Sequence, residues 1–345
     1  MDDVALLEGL LQHYSPTGQE REAVDYLVAQ MRARGYAATV DAAGNAVGAL
    51  GVGPTEIMLL GHIDTVPGFI EVTRADDVLP GRGAVDAKGP LACFVAAGAR
   101  AGARSGYRFT VIGAVGEEGD SCGAHYLIER YRPAALIIGE PSGWRRVTLG
   151  YKGSAWFTYT ARRALAHTSA QAESACEAAV SYWNRVMARA AEFNADKPKM
   201  FEQLLPTLRA MHSESDGFVE SARLKFGLRL PPGLSVAEAA TLMTDLAVAA
   251  EVKLDEGVPA YRADKNTPLV SAFLTAIRAA GGSPGFTVKS GTSDMNLVAP
   301  VWGCPTLAYG PGDSNLDHTP DEHILVSEYL RSVEVLAEVL QRLSI

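Results

Sequence analysis

Cysteine is scarce in this chain, and its four cysteines, Cys93, Cys122, Cys176 and Cys304, are far apart with no C-x-x-C among them. That excludes a zinc knuckle and a disulfide framework, and in so long a chain it reads as reduced, mostly buried thiols. Long apolar runs are missing too: none approaches the ~18–20 residues of a membrane span. The opening stretch MDDVALLEGLLQ is acidic and amphipathic, unlike a secretory leader. The expected setting is therefore cytoplasmic, with no membrane partner. Basic charge is also short, with 31 Lys and Arg against 40 Asp and Glu and a net charge of −9. Nucleic-acid binders normally need a basic field, so none is expected as a partner. What is present is ordinary for a globular protein: 48% hydrophobic, 21% charged and 8% aromatic over 345 residues, enough for two domains.

Along the chain, apolar residues at helical spacing predict helices over 3–12 and 19–33, the second stopped by Gly35. Residues 56–61 (EIMLLG), 109–115 (FTVIGAV), 134–139 (AALIIG) and 305–309 are short apolar runs. Helical stretches over 88–103, 122–131, 268–280 and 324–343 accompany them. Near-continuous apolar strands alternating with helices predict an α/β fold: a mixed, largely parallel sheet flanked by helices. Residues 151–260 differ. There, strands at 152–160 and 221–230 alternate with helices at 171–192 and 235–249, the pattern of an inserted α+β domain. The expected division is a domain of residues 1–150 and 261–345, interrupted by a smaller one of 151–260.

The polar residues fall where the apolar runs end. EIMLLG leads into His62-Ile63-Asp64, FTVIGAV into Glu117-Glu118, AALIIG into Glu140-Pro141, and PTLAYG through a glycine-rich loop into Asp317-His318. In open α/β sheets, ligands bind outside the carboxyl ends of the strands. A fifth segment, Gly81 through Gly89, presents Asp86 just ahead of a helix. Each piece alone has an ordinary explanation: Asp86 could cap a helix, Glu117-Glu118 could be a surface pair. Together, two histidines and several carboxylates suit a divalent metal such as Zn²⁺. They exceed what one tetrahedral ion needs and suit two ions bridged by a shared carboxylate. The dinucleotide fingerprint fails, because Asp86 stands where Gly81-Arg82-Gly83 would need a further glycine. A G-x-S-x-G nucleophile elbow is absent as well.

With these stretches the sequence resembles the co-catalytic metallopeptidase/deacylase family, which includes aminoacylases, carboxypeptidase G, acetylornithine deacetylase and succinyl-diaminopimelate desuccinylase. The matching pieces are 61–67, 81–89, Glu117-Glu118-Gly119, Gly139-Glu140-Pro141-Ser142, Gly291-Thr292-Ser293-Asp294 and 317–322. The resemblance implies a zinc-exopeptidase-like catalytic domain and a ferredoxin-like lid and dimerisation domain, hence a homodimer. It implies two divalent ions per subunit, Zn²⁺ or alternatively Co²⁺. His62 and Glu140 would hold one, Glu118 and His318 the other, and Asp86 would bridge them. Asp64 would hydrogen-bond the imidazole of His62. Glu117 would be the general base, acting on a metal-bridging water that attacks the amide carbonyl. His167 would reach across the dimer to stabilise the oxyanion. Arg229 and the Gly291, Thr292, Ser293 loop would hold a substrate carboxylate.

Within that family, residues 64–70, 83–91, 138–144 and 147–153 look like the lysine/ornithine hydrolases that act on an amino-group carrier protein. The resemblance implies release of lysine or ornithine from the carboxy-terminal glutamate of a small acidic carrier, in lysine or arginine biosynthesis. The alternatives are a deacylase or dipeptidase of small substrates, as in acetylornithine deacetylase, and a non-catalytic paralogue. The last would be expected to lack a ligand or the base, and this chain has them all. Charge is unevenly spread, with 13 basic and 18 acidic side chains in residues 1–150, 14 and 14 in 151–265, and 4 and 8 in 266–345. An acidic carrier would therefore need a local basic patch. Arg145, Arg146, Arg162, Arg163, Lys197, Lys199, Arg209 and Lys225 are the candidates.

Overall fold

Four parallel strands form the middle of the larger sheet: Tyr107–Ala114, Thr55–His62, Ala135–Gly139 and Thr306–Ala308, side by side in that order. Apart from the first two residues of Tyr107–Ala114 and of Thr55–His62, all are buried, which explains the continuous apolar runs in the sequence. The sheet extends antiparallel on one side through Ala46–Leu50 and Ala37–Val40, and on the other through Arg146–Tyr151, with Gly285–Lys289 beside it. These data come from a computed structural model that describes every residue except Met1 and Gln171.

The chain divides into two units. One comprises Met1–Gly150, Ala263–Val288 and Leu297–Ile345; the other comprises Tyr151–Arg262 and Lys289–Asn296. In the first, the helix Lys88–Ala101 is buried along residues 88–98 and packs against the parallel strands. Gly89 lets the preceding loop lie close against the helix start: a Cβ there would sit 2.2 Å from the Ala84 carbonyl oxygen. The helix Val326–Arg342 has a buried stripe (Tyr329, Val333, Leu336, Leu340) at i, i+3/i+4 spacing and covers Lys88–Ala101. A short ribbon pairs Val78–Pro80 with His323–Leu325, Pro80 opposite His323.

In the second unit, four antiparallel strands run in the order Glu251–Val258, Gly153–Ala164, Val219–Leu230, Leu205–Ser215. One face carries Phe157, Tyr159 and Phe226, fully buried under the helix Ala175–Asn194. Ser174 and Glu177 close a capping box at the start of that helix. Tyr159 stacks on Tyr182 at 4.2 Å and Phe157 on Phe226 at 5.3 Å between ring centroids.

The helix expected over 171–192 thus starts at Ala175; its first expected residue, Gln171, lies outside the described residues. The one expected over 235–249 ends at Asp245, and strand Glu251–Val258 follows soon after. Both edge strands of this sheet went unrecognised in the sequence, because they are largely exposed and polar.

Candidate active site

Strand register assembles the site. His62 is the last residue of its strand and pairs with Ala114, while Gly61 pairs with Gly139. Three neighbouring parallel strands therefore end level. The next residues of the chain, His62 itself, Glu117 and Glu118 after Ala114, and Glu140 after Gly139, emerge at one edge. The loop after Ala308 supplies His318, whose φ of 61° is left-handed, a strained setting for a non-glycine residue.

Asp86 lies at the centre. Its Oδ1 is 3.1 Å from Nε2 of His62, and its Oδ2 is 3.1 Å from Nε2 of His318. Glu140 lies 3.8 Å from Nε2 of His62, and Glu118 lies 2.8 Å from Nε2 of His318. Two donor sets result, His62–Asp86–Glu140 and Asp86–Glu118–His318, each with its ligand atoms within 4.8 Å of one another. A carboxylate whose two oxygens face two different imidazoles is the arrangement a bridging ligand requires. All five expected metal residues are thus brought together.

Electrostatics tells the same story. Burial pushes His62 down, but hydrogen bonds to Asp64 and Asp86 and the charges of Glu117 and Asp86 outweigh it and raise its pKa well above the ordinary value. His318 is pushed up to about 10 by its hydrogen bonds to Asp86 and Glu118. Burial raises Asp86, yet His318 and His62 together hold its carboxyl well below the carboxylate range. The carboxylates thus create a negative field that favours positive charge at both imidazoles, the place that cations fit. Nitrogen and oxygen donors in two trios around one shared carboxylate fit two borderline divalent ions.

Asp64 has a broader task than expected. Nδ1 of His62 lies 3.0 Å from the backbone carbonyl of Asp64 and 3.5 Å from its carboxylate. Because a carbonyl can only accept, Nδ1 carries a hydrogen, which leaves Nε2, facing Asp86, as the atom that would bind an ion. The Asp64 carboxylate, fully buried, instead accepts from the N–H groups of Glu117 at 3.1 Å and Glu118 at 3.0 Å and from the Thr17 hydroxyl at 2.8 Å. It orients the two glutamates that the sequence offers as base and ligand. A further grouping, His62–Glu117–Glu118, sits within 4.8 Å, which puts Glu117 at the same edge.

The remaining expected residues belong to the smaller unit. Nη1 of Arg229 is 3.5 Å from the Thr292 hydroxyl, and burial with the neighbouring charge of Arg209 lowers its pKa. Ser293 is buried, its N–H held by Asn296 at 2.9 Å; Gly291 has open space where a Cβ would stand. His167 is exposed, with Nδ1 2.8 Å from Ser169. Of the eight candidate patch cations, Arg163, Lys197 and Lys225 are paired with Glu173, Asp196 and Asp255, which weakens the expectation of a basic patch.

Three residues went unassigned by sequence reasoning. Lys152 is fully buried and donates to the carbonyls of Met200, Phe201 and Gln203. Asn296 donates to Pro259 O at 2.8 Å and Lys152 O at 3.2 Å, tying the 291–293 loop down. Glu322 is 1% exposed and paired with Arg82. Lys152 and Glu322 stood within the matching stretches, but nothing in their neighbours told of burial.

Solved structures of several hydrolases share this two-unit α/β fold. An aminopeptidase, PepT of Bacillus cereus, matches with a TM-score of 0.79 at 19% identity, over 98% of this chain and 97% of that one. A metallo-carboxypeptidase of Sulfolobus solfataricus gives 0.77 at 15% identity, over 99% of each. At such identities the likeness shows the fold. The chain belongs to peptidase family M20/M25/M40, whose sequence model matches residues 58–342. Among its relatives, the LysW-lysine hydrolase of Deinococcus radiodurans is 44% identical, over 95% of this chain and 93% of the relative. The LysW-lysine/LysW-ornithine hydrolase of Sulfurisphaera tokodaii is 29% identical, over 98% and 94%.

Proposed function

We propose that this protein is a two-metal amide hydrolase that releases lysine or ornithine from the carboxy-terminal glutamate of an amino-group carrier protein. The observation that carries the chemistry is Asp86, whose two oxygens each face a different histidine at 3.1 Å beside Glu117. The identity of 44% to a LysW-lysine hydrolase, nearly end to end, supports the substrate. His62, Asp86 and Glu140 would hold one ion, and Asp86, Glu118 and His318 the other; Zn²⁺ suits the donors, with Co²⁺ the alternative. Bound there, two divalent ions supply Lewis-acid polarisation of an amide carbonyl and a water of lowered pKa.

The chain's own residues do the rest. The Glu117 carboxylate takes the proton of the attacking water and later delivers it to the leaving amine, roughly 10²–10⁴-fold of rate for a positioned acid–base group. Asp64 fixes the backbone from which Glu117 projects. The Arg229 guanidinium, beside Thr292, binds a carboxylate of the substrate. His167 donates to the oxyanion from the partner subunit of a homodimer, and the unit around it acts as a lid. The chain works in the cytoplasm, in lysine or arginine biosynthesis.

The test is turnover of carrier-linked lysine, carrier-linked ornithine and acetylornithine, each with Zn²⁺ or Co²⁺. Hydrolysis of a carrier-linked substrate is the expected result, and turnover of acetylornithine alone refutes the carrier reading.

A further inference from the structure

Glu322 lies outside both donor sets, yet its side chain is among the most constrained in the protein. It follows His318 by four residues and immediately precedes the His323–Leu325 strand, which pairs with Val78–Pro80. The ribbon sets the backbone of Glu322 against Gly81, whose N–H donates to the Glu322 carbonyl at 3.3 Å. The side chain then turns into the Gly81–Gly89 loop. Oε1 accepts three backbone N–H groups, from Gly83 at 3.1 Å, Val85 at 2.9 Å and Asp86 at 3.1 Å. Oε2 accepts from Nη1 of Arg82 at 2.8 Å, and Nε of Arg82 donates to the Gly68 carbonyl at 2.9 Å.

Three converging amides and a guanidinium form a hole shaped for one carboxylate, and Glu322 fills it at 1% exposure. The consequence is mechanical. The N–H of Asp86 is held from the loop that carries His318, so the bridging carboxylate and the histidine on one of its oxygens are fixed to each other through Glu322. Arg82 adds the loop that follows His62 and Asp64.

We infer that Glu322 is a positioning residue for the two-ion site, clamping the Asp86 loop to the His318 loop so that both oxygens of Asp86 stay aimed at separate ions. The inference rests on the two-ion reading above. It makes an asymmetric demand. Of the donors around the second ion, Asp86 and His318 come from the loops Glu322 joins directly; around the first, Asp86 does, and His62 is reached only indirectly, through Arg82 and Gly68. Loosening the clamp weakens the second site most.

The experiment is calorimetric titration of metal-free wild type, Glu322→Gln and Glu322→Asp with Zn²⁺, with Co²⁺ absorption as an independent readout. Gln removes the charge and turns an amide N–H₂ toward either the backbone donors or Arg82. Asp keeps the charge but withdraws it by one methylene. The expected result is two equivalents in wild type and, in Glu322→Gln, a second equivalent weakened about 10–100-fold, the usual effect of losing a partner that orients a ligand. The first equivalent falls less, and the metal-free variant melts lower than wild type but still cooperatively, because Arg82 loses its buried partner. Glu322→Asp lies between. Two equivalents at wild-type affinity in Glu322→Gln, equal weakening of both, or metal-free unfolding of both variants would overturn the inference. Fewer than two equivalents in wild type would refute the two-ion reading itself, and this inference with it.

Discussion

Replacing Asp64 with Asn separates two accounts of that residue. The substitution keeps size and removes charge. One oxygen remains for either the Glu117 amide at 3.1 Å or the Glu118 amide at 3.0 Å, and the new N–H₂ faces the other amide as donor against donor. A lost charge-assisted hydrogen bond is worth about 1.5–3 kcal/mol, and a buried donor left unsatisfied costs about 1–3 kcal/mol more. The local penalty is then about 3–5 kcal/mol, which the chain relieves by letting residues 117–118 move. If Glu117 must be in place for proton transfer, kcat should fall on the order of 10²–10⁴-fold, the contribution of a positioned acid–base group. The imidazole of His62 should be nearly untouched, because Nδ1 still has the residue-64 carbonyl at 3.0 Å. The assay is kcat and KM on carrier-linked lysine alongside Zn²⁺ titration. A variant within threefold of wild-type kcat refutes the reasoning. Loss of the first metal equivalent refutes it too, since it would assign Asp64 to the His62 ring instead.

Three shorter predictions accompany it. Glu117→Gln should retain both metal equivalents while activity falls about 10²–10⁴-fold; a variant that binds metal and still turns over normally removes Glu117 as the base. Phe226→Ala, at a fully buried ring 5.3 Å from Phe157 and 5.9 Å from Tyr182 and Trp183, should destabilise the smaller unit by about 3–5 kcal/mol, read from urea unfolding. Lys152 gives a pH effect. Burial and the charge of Arg229 lower its pKa to about 8. The folded chain therefore binds fewer protons than the unfolded one between about 8 and the free-lysine value near 10.4, and stability from this group rises with pH across that window. The wild-type-minus-Lys152→Met difference in urea midpoint should become more favourable from pH 8 to pH 10, and a flat difference contradicts the assignment.

Much of the site was legible because its ligands follow strands that sequence reveals well. EIMLLG, FTVIGAV and AALIIG are buried on both faces, so their ends are sharp, and His62, Glu117, Glu118 and Glu140 stand at those ends. Leu205–Ser215 and Glu251–Val258 lie at the edges of their sheet with mostly exposed side chains, leaving little apolar alternation to read. Glu322 was illegible for a different reason. In the polar stretch 317–323 it resembles any surface glutamate, and the amides and guanidinium that make its burial tolerable belong to residues 82–86, Asp86 being 236 residues earlier. The division of labour at Asp64 was hidden likewise: whether a ring meets a carbonyl or a carboxylate is decided by about half an ångström, not by residue type.

The level ending of the three strands bears on how the protein comes into being. Glu118 and His318 meet at 2.8 Å although 200 residues separate them, and all of the smaller unit's strands are made in between. A growing chain that has finished its first three parallel strands already exposes His62, Asp86, Glu118 and Glu140, a cluster of acid with one imidazole. Only after residue 322 has left the ribosome can the His318 loop return and Glu322 lock Asp86 in its final aim. On the two-ion reading, the second donor set is thereby a property of the completed polypeptide. A fragment stopping short of that ribbon keeps His62, Asp86 and Glu140 but lacks His318, so premature termination leaves the second donor set incomplete.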